Sequence, residues 1–169
     1  MRIEPWSEDD LPLLERVVGD PAMMEHLGGP ESAEKIAERQ ARYEQPGSKQ
    51  FKIVDESSGE PVGWVGYWER EWRGREVNEI GWAVIRAYQG RGLATAATAA
   101  AIAVARAERT HRFMHAYPNV ENGPSNAICR RLGFTLLGEH DFEFPPGSTM
   151  RCNDWRLDLF SEGARSGAT

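Results

Sequence analysis

The residues best suited to do chemistry form a short turn at residues 89–92, which reads Gln-Gly-Arg-Gly. Residues 79–85 before it are rich in Trp, Val and Ile and predict a buried strand. Residues 93–107 after it are nearly all helix formers and predict a long helix. The first amides of a helix have no partner inside it, and glycines let a phosphate approach the backbone closely. The pattern therefore predicts an anion site.

Two common phosphate-binding motifs do not fit this turn. A dinucleotide fingerprint requires a third Gly or Ala where Thr95 stands, and the first strand near the N-terminus that it also requires is absent. A P-loop requires Gly-Lys followed by Ser or Thr, and the turn contains no such pair. Both nucleotide-binding classes are therefore excluded.

A third pattern fits. Gln89-x-x-Gly92-x-Ala94, between a strand and a helix, resembles the acyl-coenzyme A signature of the GNAT N-acetyltransferase superfamily. Asn122-x-x-Ser125, followed by Arg-Leu-Gly-Phe, resembles the second motif of that family, in which Asn opens a helix and Gly-Phe closes it. The opening segment, Asp10-Leu11-Pro12-Leu13-Leu14 followed by Asp20-Pro21, resembles the RimJ/RimL-like branch, which acts on ribosomal-protein N-termini. The resemblance covers nearly the whole chain.

The resemblance implies acetyl-coenzyme A as co-substrate. Backbone amides of the turn and helix start would hold its pyrophosphate, with Arg91 as a charge partner and Gln89 shaping the turn. The preceding strand would pair with the pantetheine arm as though the arm were an added strand, and an amide near Val84 would stabilise the oxyanion. The cofactor-binding residues implied in this way are Trp82, Ala83, Val84, Gln89, Gly90, Arg91, Gly92, Leu93, Ala94, Thr95 and Asn122.

The implied reaction is direct attack of a primary amine on the thioester in a ternary complex. The substrate ammonium must first lose a proton, because only the free amine is nucleophilic. Glu79, interpreted as opening the central strand, is the candidate base, acting directly or through a water. The alternative for Glu79 is a solvent-facing carboxylate at a strand end, and Glu69 is the second candidate.

The group that protonates the leaving sulfur is less defined. Many family members have a Tyr where this chain has Cys129, so the usual donor is missing. Ser125 and Cys129 are spaced i, i+4 and share one helix face. Ser125 is the candidate acid because a thiol is a weak hydrogen-bond partner, and Cys129 is expected to be buried filler. Protonation by water is the remaining alternative.

Aromatic residues near the predicted site suggest an acceptor pocket or a core. Alternation along a strand puts Trp64 and Trp68 on one face and Tyr67 on the other, so only one of these sets faces a ligand. His115 and Tyr117 are further candidates for the pocket. The four histidines and two cysteines show no metal-ligand spacing, so no metal is expected.

Composition indicates the class of protein and its partners. The formal net charge of -6 and the scattered basic residues argue against a nucleic-acid-binding protein. Two cysteines in 169 residues make no disulfide framework, and no apolar run has the length of a membrane span. We therefore expect a cytoplasmic protein without membrane or nucleic-acid partners. Its partner would be an amine-bearing small molecule or peptide N-terminus, and a homodimer is possible because relatives often dimerise.

The order of predicted elements gives the fold class. A short N-terminal strand and helices up to about residue 43 precede an antiparallel meander, then a helical crossover, a short strand, a short helix and two final strands. We predict an α+β fold with α/β/α layers: a mixed, mostly antiparallel sheet of about six to seven strands with helices on both faces, as in acyl-CoA N-acyltransferases. Residues 1–160 form a single domain and residues 161–169 a disordered tail. The rival to an enzyme is a non-catalytic coenzyme A-binding regulatory module.

Overall fold

The structure, a computed structural model, describes residues 1–143 and 146–161. Its seven strands form one open mixed sheet in the order β1-β2-β3-β4-β5-β7-β6. The strands are β1 (Arg2–Pro5), β2 (Lys49–Asp55), β3 (Glu60–Trp72), β4 (Arg75–Val84), β5 (Phe113–Ala116), β6 (Thr135–Glu143) and β7 (Thr149–Asp158). The α-helices are α1 (Leu11–Val18), α2 (Ala33–Tyr43), α3 (Leu93–Glu108) and α4 (Gly123–Arg131). The predicted fold class is confirmed.

Helices cover the sheet on both sides. On the front face, which carries Trp64, the Tyr43 ring of α2 lies 6.2 Å from the Trp64 ring. On the back face, the Tyr67 hydroxyl donates to Glu108 at the end of α3 at 2.7 Å. Tyr67 is three positions after Trp64 in β3, and side chains alternate along a strand, so these two side chains point to opposite faces. The sheet is therefore enclosed between two helical layers.

The second back-face helix, α4, packs over β7. Asn126 of α4 accepts a hydrogen bond from Trp155 Nε1 at 2.8 Å, and Trp155 pairs with Ala116 of β5. Helices α3 and α4 therefore lie on the back, while α1 and α2 lie on the front over β3 and its neighbours. The front surface of the sheet from β4 to β6 carries side chains of the strands themselves.

The hairpin of β3 and β4 is longer than the sequence predicts. The two strands pair without a register shift down to Trp72 and Arg75. Only Arg73 and Gly74 remain in the turn, with φ of 52° and 72°. A two-residue turn of positive φ matches the twist of paired strands, so the ladder continues to the turn itself. The prediction that Glu79 opens the strand is therefore wrong: Glu79 lies in the middle of β4.

A cleft opens between β4 and β5. These parallel strands pair at only two positions, Asn78 with Met114 and Glu79 with His115. Beyond Glu79, β4 continues to Val84 with no strand pairing on its β5 side within the described parts of the chain. The strands therefore diverge from Glu79 onward and leave one edge of β4 open.

Other predictions vary in outcome. The helical segment predicted around Met23 and Leu27 is a series of turns. The predicted disordered tail lies outside the described residues apart from Ser161. Within residues 1–143 and 146–161, no helix has the length and apolarity needed to cross a membrane.

Candidate active site

The glycine turn leads directly into α3 and is open on its outer side. Gly90 and Gly92 both have φ of 76°, a conformation that L side chains rarely adopt. A Cβ atom built on either glycine would meet nothing within 4 Å among the described residues, so the space beside the turn is open. The amides of Leu93, Ala94 and Thr95 are the first of α3 and have no acceptor inside the helix. The turn and helix start are therefore shaped to receive an anion.

Gln89 ties this turn to the end of β4. Its side-chain Nε2 donates to the Val84 carbonyl at 2.8 Å. The bond occupies one of the backbone acceptors on the open edge of β4 and fixes where the strand ends relative to the start of α3.

Replacing Gln89 with Ala removes that bond and should weaken coenzyme A binding about fivefold. A hydrogen bond of this kind contributes about 1 kcal/mol. Because this bond holds the turn in its conformation, its loss weakens binding of the ligand at the turn. Isothermal titration of coenzyme A into both proteins measures the effect. An unchanged dissociation constant would show that the turn keeps its geometry without Gln89.

Arg91 lies at the mouth of the cleft with its charge partly compensated. Its Nη2 is 3.3 Å from Asp55 Oδ2 and 3.2 Å from Ser57 Oγ, and the guanidinium lies 5.3 Å from the centre of the Tyr88 ring. The Ser57 hydroxyl, then the Ser58 hydroxyl and the Ser57 amide, and last the Arg91 charge hold the pKa of Asp55 below its usual range. The predicted phosphate partner is thus anchored to the β2–β3 turn.

Backbone alternation along β4 decides which of its groups face the cleft. The amide of Ile85 donates to Val62 on β3 at 2.8 Å. Because successive residues direct their backbone groups to alternate neighbours, Ala83 also faces β3, whereas Trp82 and Val84 face the cleft. Of the three predicted pantetheine contacts, two therefore present their amides to the open edge, and Ala83 does not.

Glu79 lies on the front face at the point where the cleft begins. Its carboxylate accepts a hydrogen bond from Arg70 Nη1 at 2.7 Å and is 19% exposed. The Arg70 guanidinium lies against three rings, 5.2 Å from Trp72, 4.8 Å from Tyr117 and 5.2 Å from Phe142. The candidate base is therefore already paired with a cation, and that cation is held by aromatic contacts.

A buried His–Asp pair, which the sequence analysis did not predict, lies beside Glu79. His115 Nδ1 is 2.6 Å from Asp154 Oδ1, and Asp154 Oδ2 accepts from Trp72 Nε1 at 3.1 Å. Burial opposes ionisation of Asp154, but the bonds from His115 and Trp72 and the nearby His140 together hold its pKa below the usual range. The His115 ring stacks on Tyr117 with centroids 5.8 Å apart. The pair is a fixed, charged unit at the base of the cleft.

The second predicted motif lies on the back face. Asn122 caps α4, and its side-chain oxygen accepts from the Ser125 amide at 3.1 Å. Cys129 is fully buried, and burial raises the pKa of its thiol to about 12, so its predicted role as core filler is confirmed. Ser125 is partly exposed in the first turn of α4. The two catalytic candidates, Glu79 and Ser125, therefore lie on opposite sides of the sheet.

A cavity of about 960 Å³ lies between the end of α2 and β3. Trp68, which is 41% exposed, and Glu69 line it. The Glu69 carboxylate is 3.0 Å from His111 Nε2, away from the cleft. A Cβ atom built on Gly81 would lie 3.2 Å from the Trp68 ring and 3.3 Å from the Trp64 ring, so these two rings share one face of the sheet. Across the described residues, no group of three or more His, Cys, Asp or Glu side chains is arranged to hold a metal ion.

Comparison with known families shows which family the chain belongs to. The family profile described as acetyltransferase (GNAT) domain matches residues 1–135. The chain belongs to the GNAT acetyltransferase family. This membership confirms the resemblance found in the sequence. It also places the chain in the class of acetyl-coenzyme A-dependent acyltransferases. No curated protein matches the chain.

Solved structures share the GNAT fold over nearly their full lengths. Protein yncA from Salmonella typhimurium, solved with its cofactor acetyl-CoA, is 22% identical with a TM-score of 0.76, covering 99% of each chain. A ribosomal-protein-alanine N-acetyltransferase from Brucella melitensis is 22% identical with a TM-score of 0.76, covering 94% of this chain and 99% of that one. RimL, a ribosomal L7/L12 alpha-N-protein acetyltransferase in complex with coenzyme A, is 21% identical with a TM-score of 0.75, covering 92% of each. At these identities the likeness shows the fold alone.

Proposed function

We propose that this GNAT protein transfers the acetyl group of acetyl-coenzyme A to a primary amine, which belongs to a peptide N-terminus or a small molecule. The observation that carries the proposal is the cleft between β4 and β5, which has an open glycine turn at one end and a charged cluster at the other. Such a cleft accommodates a long ligand with an anionic end and a reactive end.

The residues present fit acetyl-coenzyme A. The amides of Leu93 to Thr95 and the open turn at Gly90 and Gly92 suit its pyrophosphate, with Arg91 nearby. The amides of Trp82 and Val84 suit the pantetheine arm, and the amide of Val84 suits the thioester oxygen when it gains charge during attack. Asn122 contributes by holding the first turn of α4, and Ala83 by keeping β4 paired with β3.

The two faces of the sheet divide the chemistry. The amine approaches from the front, where Glu79 and its neighbours lie, and the sulfur departs toward the back, where the first turn of α4 lies. Ser125 is the proposed donor to the departing sulfur because its hydroxyl is on that turn while Cys129 is buried. Water is the alternative donor. Ser125→Ala lowers turnover if Ser125 is the donor and leaves turnover unchanged if water is.

The role of Glu79 as base stays a prediction, and its pairing with Arg70 makes the test sharper. If Glu79 takes the proton of the acceptor, Glu79→Gln lowers turnover and moves its pH dependence upward, because the amine must then lose its proton to solution. Initial rates of thiol release between pH 6 and pH 10, the range around a typical amine pKa, measure this shift. An unaltered rate profile would make Glu79 a bystander.

Thiol release from acetyl-coenzyme A with a panel of amines tests the function itself. The panel contains peptides with free N-terminal Ala, Ser and Met, the corresponding amino acids, and polyamines, because the similar structures include a ribosomal-protein-alanine N-acetyltransferase. Mass spectrometry of the product identifies the acetylated nitrogen. Saturable binding of acetyl-coenzyme A without turnover of any amine would favour the non-catalytic binding module, and turnover only with other acyl thioesters would change the donor.

A further inference from the structure

We propose that His115, held in place by Asp154, is the catalytic residue that takes the proton from the acceptor ammonium. The proposal rests on the proposed acetyl transfer and assigns one step of it. Glu79 then acts as a positioning residue through its pair with Arg70.

The position of His115 in the sheet brings it to the reacting end of the cleft. His115 is the Cα partner of Glu79, and this is the last pair before β4 and β5 diverge. Its side chain lies on the front face, as its bond to Asp154 on the adjacent β7 requires. A group at this position borders the space in which the amine would meet the thioester.

The bond to Asp154 selects the tautomer that a base requires. Asp154 is fully buried, and the bonds from His115 and Trp72 keep its pKa low despite that burial, so it is a carboxylate at neutral pH. A carboxylate can only accept, so the proton of the neutral imidazole is on Nδ1. The lone pair is therefore on Nε2, which forms no hydrogen bond to any described residue. This is the arrangement in which an aspartate orients a histidine for proton transfer.

Charge balance favours His115 over Glu79 as the proton acceptor. A proton on His115 makes an imidazolium directly against the Asp154 carboxylate, which compensates it. A proton on Glu79 would neutralise the carboxylate that bonds to Arg70, the one such partner among the described residues, and leave the guanidinium charge among three rings. The Arg70 side chain is 30% exposed, so water compensates part of its charge, whereas the fully buried Asp154 carboxylate is bonded directly to His115. The added proton is therefore more stable on the His–Asp pair.

The groups facing His115 come from every strand packed around it. They are Glu79 on β4, Arg70 and Trp72 on β3, Asp154 and Arg156 on β7, His140 on β6, and Tyr117 following β5. Arg70 is compensated by Glu79, and His140 Nε2 lies 4.0 Å from Asp154. These groups form the electrostatic surroundings of His115.

The proposed step balances in atoms and charge. His115 Nε2 takes one proton from R–NH3⁺, and the freed lone pair forms the C–N bond with the thioester carbonyl carbon. The C–S bond then breaks, and its electron pair leaves with the sulfur. The second proton lost from the nitrogen ends on the sulfur, so the products are the N-acetylated amine and coenzyme A thiol. The imidazolium returns its proton to water.

The main test is His115→Asn with His111→Asn as matched control. The Asn amide can still donate to Asp154 but cannot accept a proton from the amine. We expect kcat at pH 7 to fall about a hundredfold, with coenzyme A affinity unchanged, and the loss to shrink as pH approaches the amine pKa. His111 lies beyond α3 and pairs with Glu69, so its variant should keep wild-type kcat. The acceptor is the N-terminal Ala peptide or whichever panel amine turns over fastest.

A second variant and a spectroscopic measurement guard against misfolding of His115→Asn. If His115 is the base, Glu79→Gln moves the inflection of the kcat–pH profile to lower pH, because a negative charge that stabilises the imidazolium is lost. If Glu79 is the base, the same variant moves the profile to higher pH. In the wild-type protein, nitrogen NMR should find His115 protonated on Nδ1, and Asp154→Asn should abolish that state. An Nε2-protonated ring, an upward shift in Glu79→Gln, or full kcat in folded His115→Asn overturns the proposal. No turnover with any amine rejects the proposed function, and this step with it.

Discussion

Gly92→Asp should weaken coenzyme A binding by about a thousandfold while leaving the protein folded. The new carboxylate would stand beside the first amides of α3, where the pyrophosphate is proposed to bind. Two unit charges about 4 Å apart near a protein surface repel by about 4 kcal/mol, which corresponds to that factor. A Cβ atom at Gly92 meets nothing within 4 Å among the described residues, so the Asp variant creates no close contact at that atom. The strain of the left-handed backbone is common to the Asp variant and its control.

Gly92→Asn is the matched control for this prediction. Asn has nearly the same shape as Asp and tolerates the left-handed backbone of Gly92, φ 76°, about as well, but it has no charge. Calorimetric titration of coenzyme A should therefore give a much smaller loss for Asn than for Asp. Equal affinity of wild type and folded Gly92→Asp would exclude the turn as the pyrophosphate site.

Gly63→Ala should reduce the free energy of unfolding by about 3 kcal/mol, because it forces extra volume into a closed backbone contact. A Cβ on Gly63 would lie 2.1 Å from the Ala83 carbonyl oxygen and 2.9 Å from the Val84 Cα. Neither is the end of a flexible side chain, so β3 and β4 must move apart. Since Val84 borders the cleft, coenzyme A affinity should fall as well.

Gly123→Ala provides the comparison for Gly63→Ala. A Cβ on Gly123 meets nothing within 4 Å, and the residue begins α4, where Ala is a better helix former than Gly. Urea unfolding should find this variant within about 0.5 kcal/mol of wild type or slightly more stable. Gly63→Ala with wild-type stability would mean that the β3–β4 contact is looser than the structure has it.

The strand, turn and helix that are proposed to bind the cofactor were predictable because their signals are local. They follow one another within residues 79–108, so the pattern of this one segment predicts an anion site. The length of β4 was not predictable in the same way. Arg73 adopts a positive φ of 52°, which is unusual for a residue with a side chain, and only the completed ladder of β3 and β4 favours it.

The charged cluster at the base of the cleft depends on distant contacts. His115 was a candidate for the acceptor pocket, but its partner Asp154 follows 39 positions later and reaches it only because β7 lies between β5 and β6. Nothing in the alternating pattern of the last two strands indicates which of them is inserted. The pairing of Glu79 with Arg70 likewise requires the exact register of the β3–β4 hairpin, of which the sequence predicted the β4 strand only from Glu79 onward.

The most direct test of the cleft is a crystal structure of the protein with coenzyme A. It should place the pyrophosphate against the amides of Leu93 to Thr95, with pantetheine groups bonded to the backbone of Trp82 and Val84. The sulfur should lie between His115 on one side and Ser125 on the other. Coenzyme A bound elsewhere on the protein, or β4 and β5 closed by pairing beyond Glu79, would contradict the proposal.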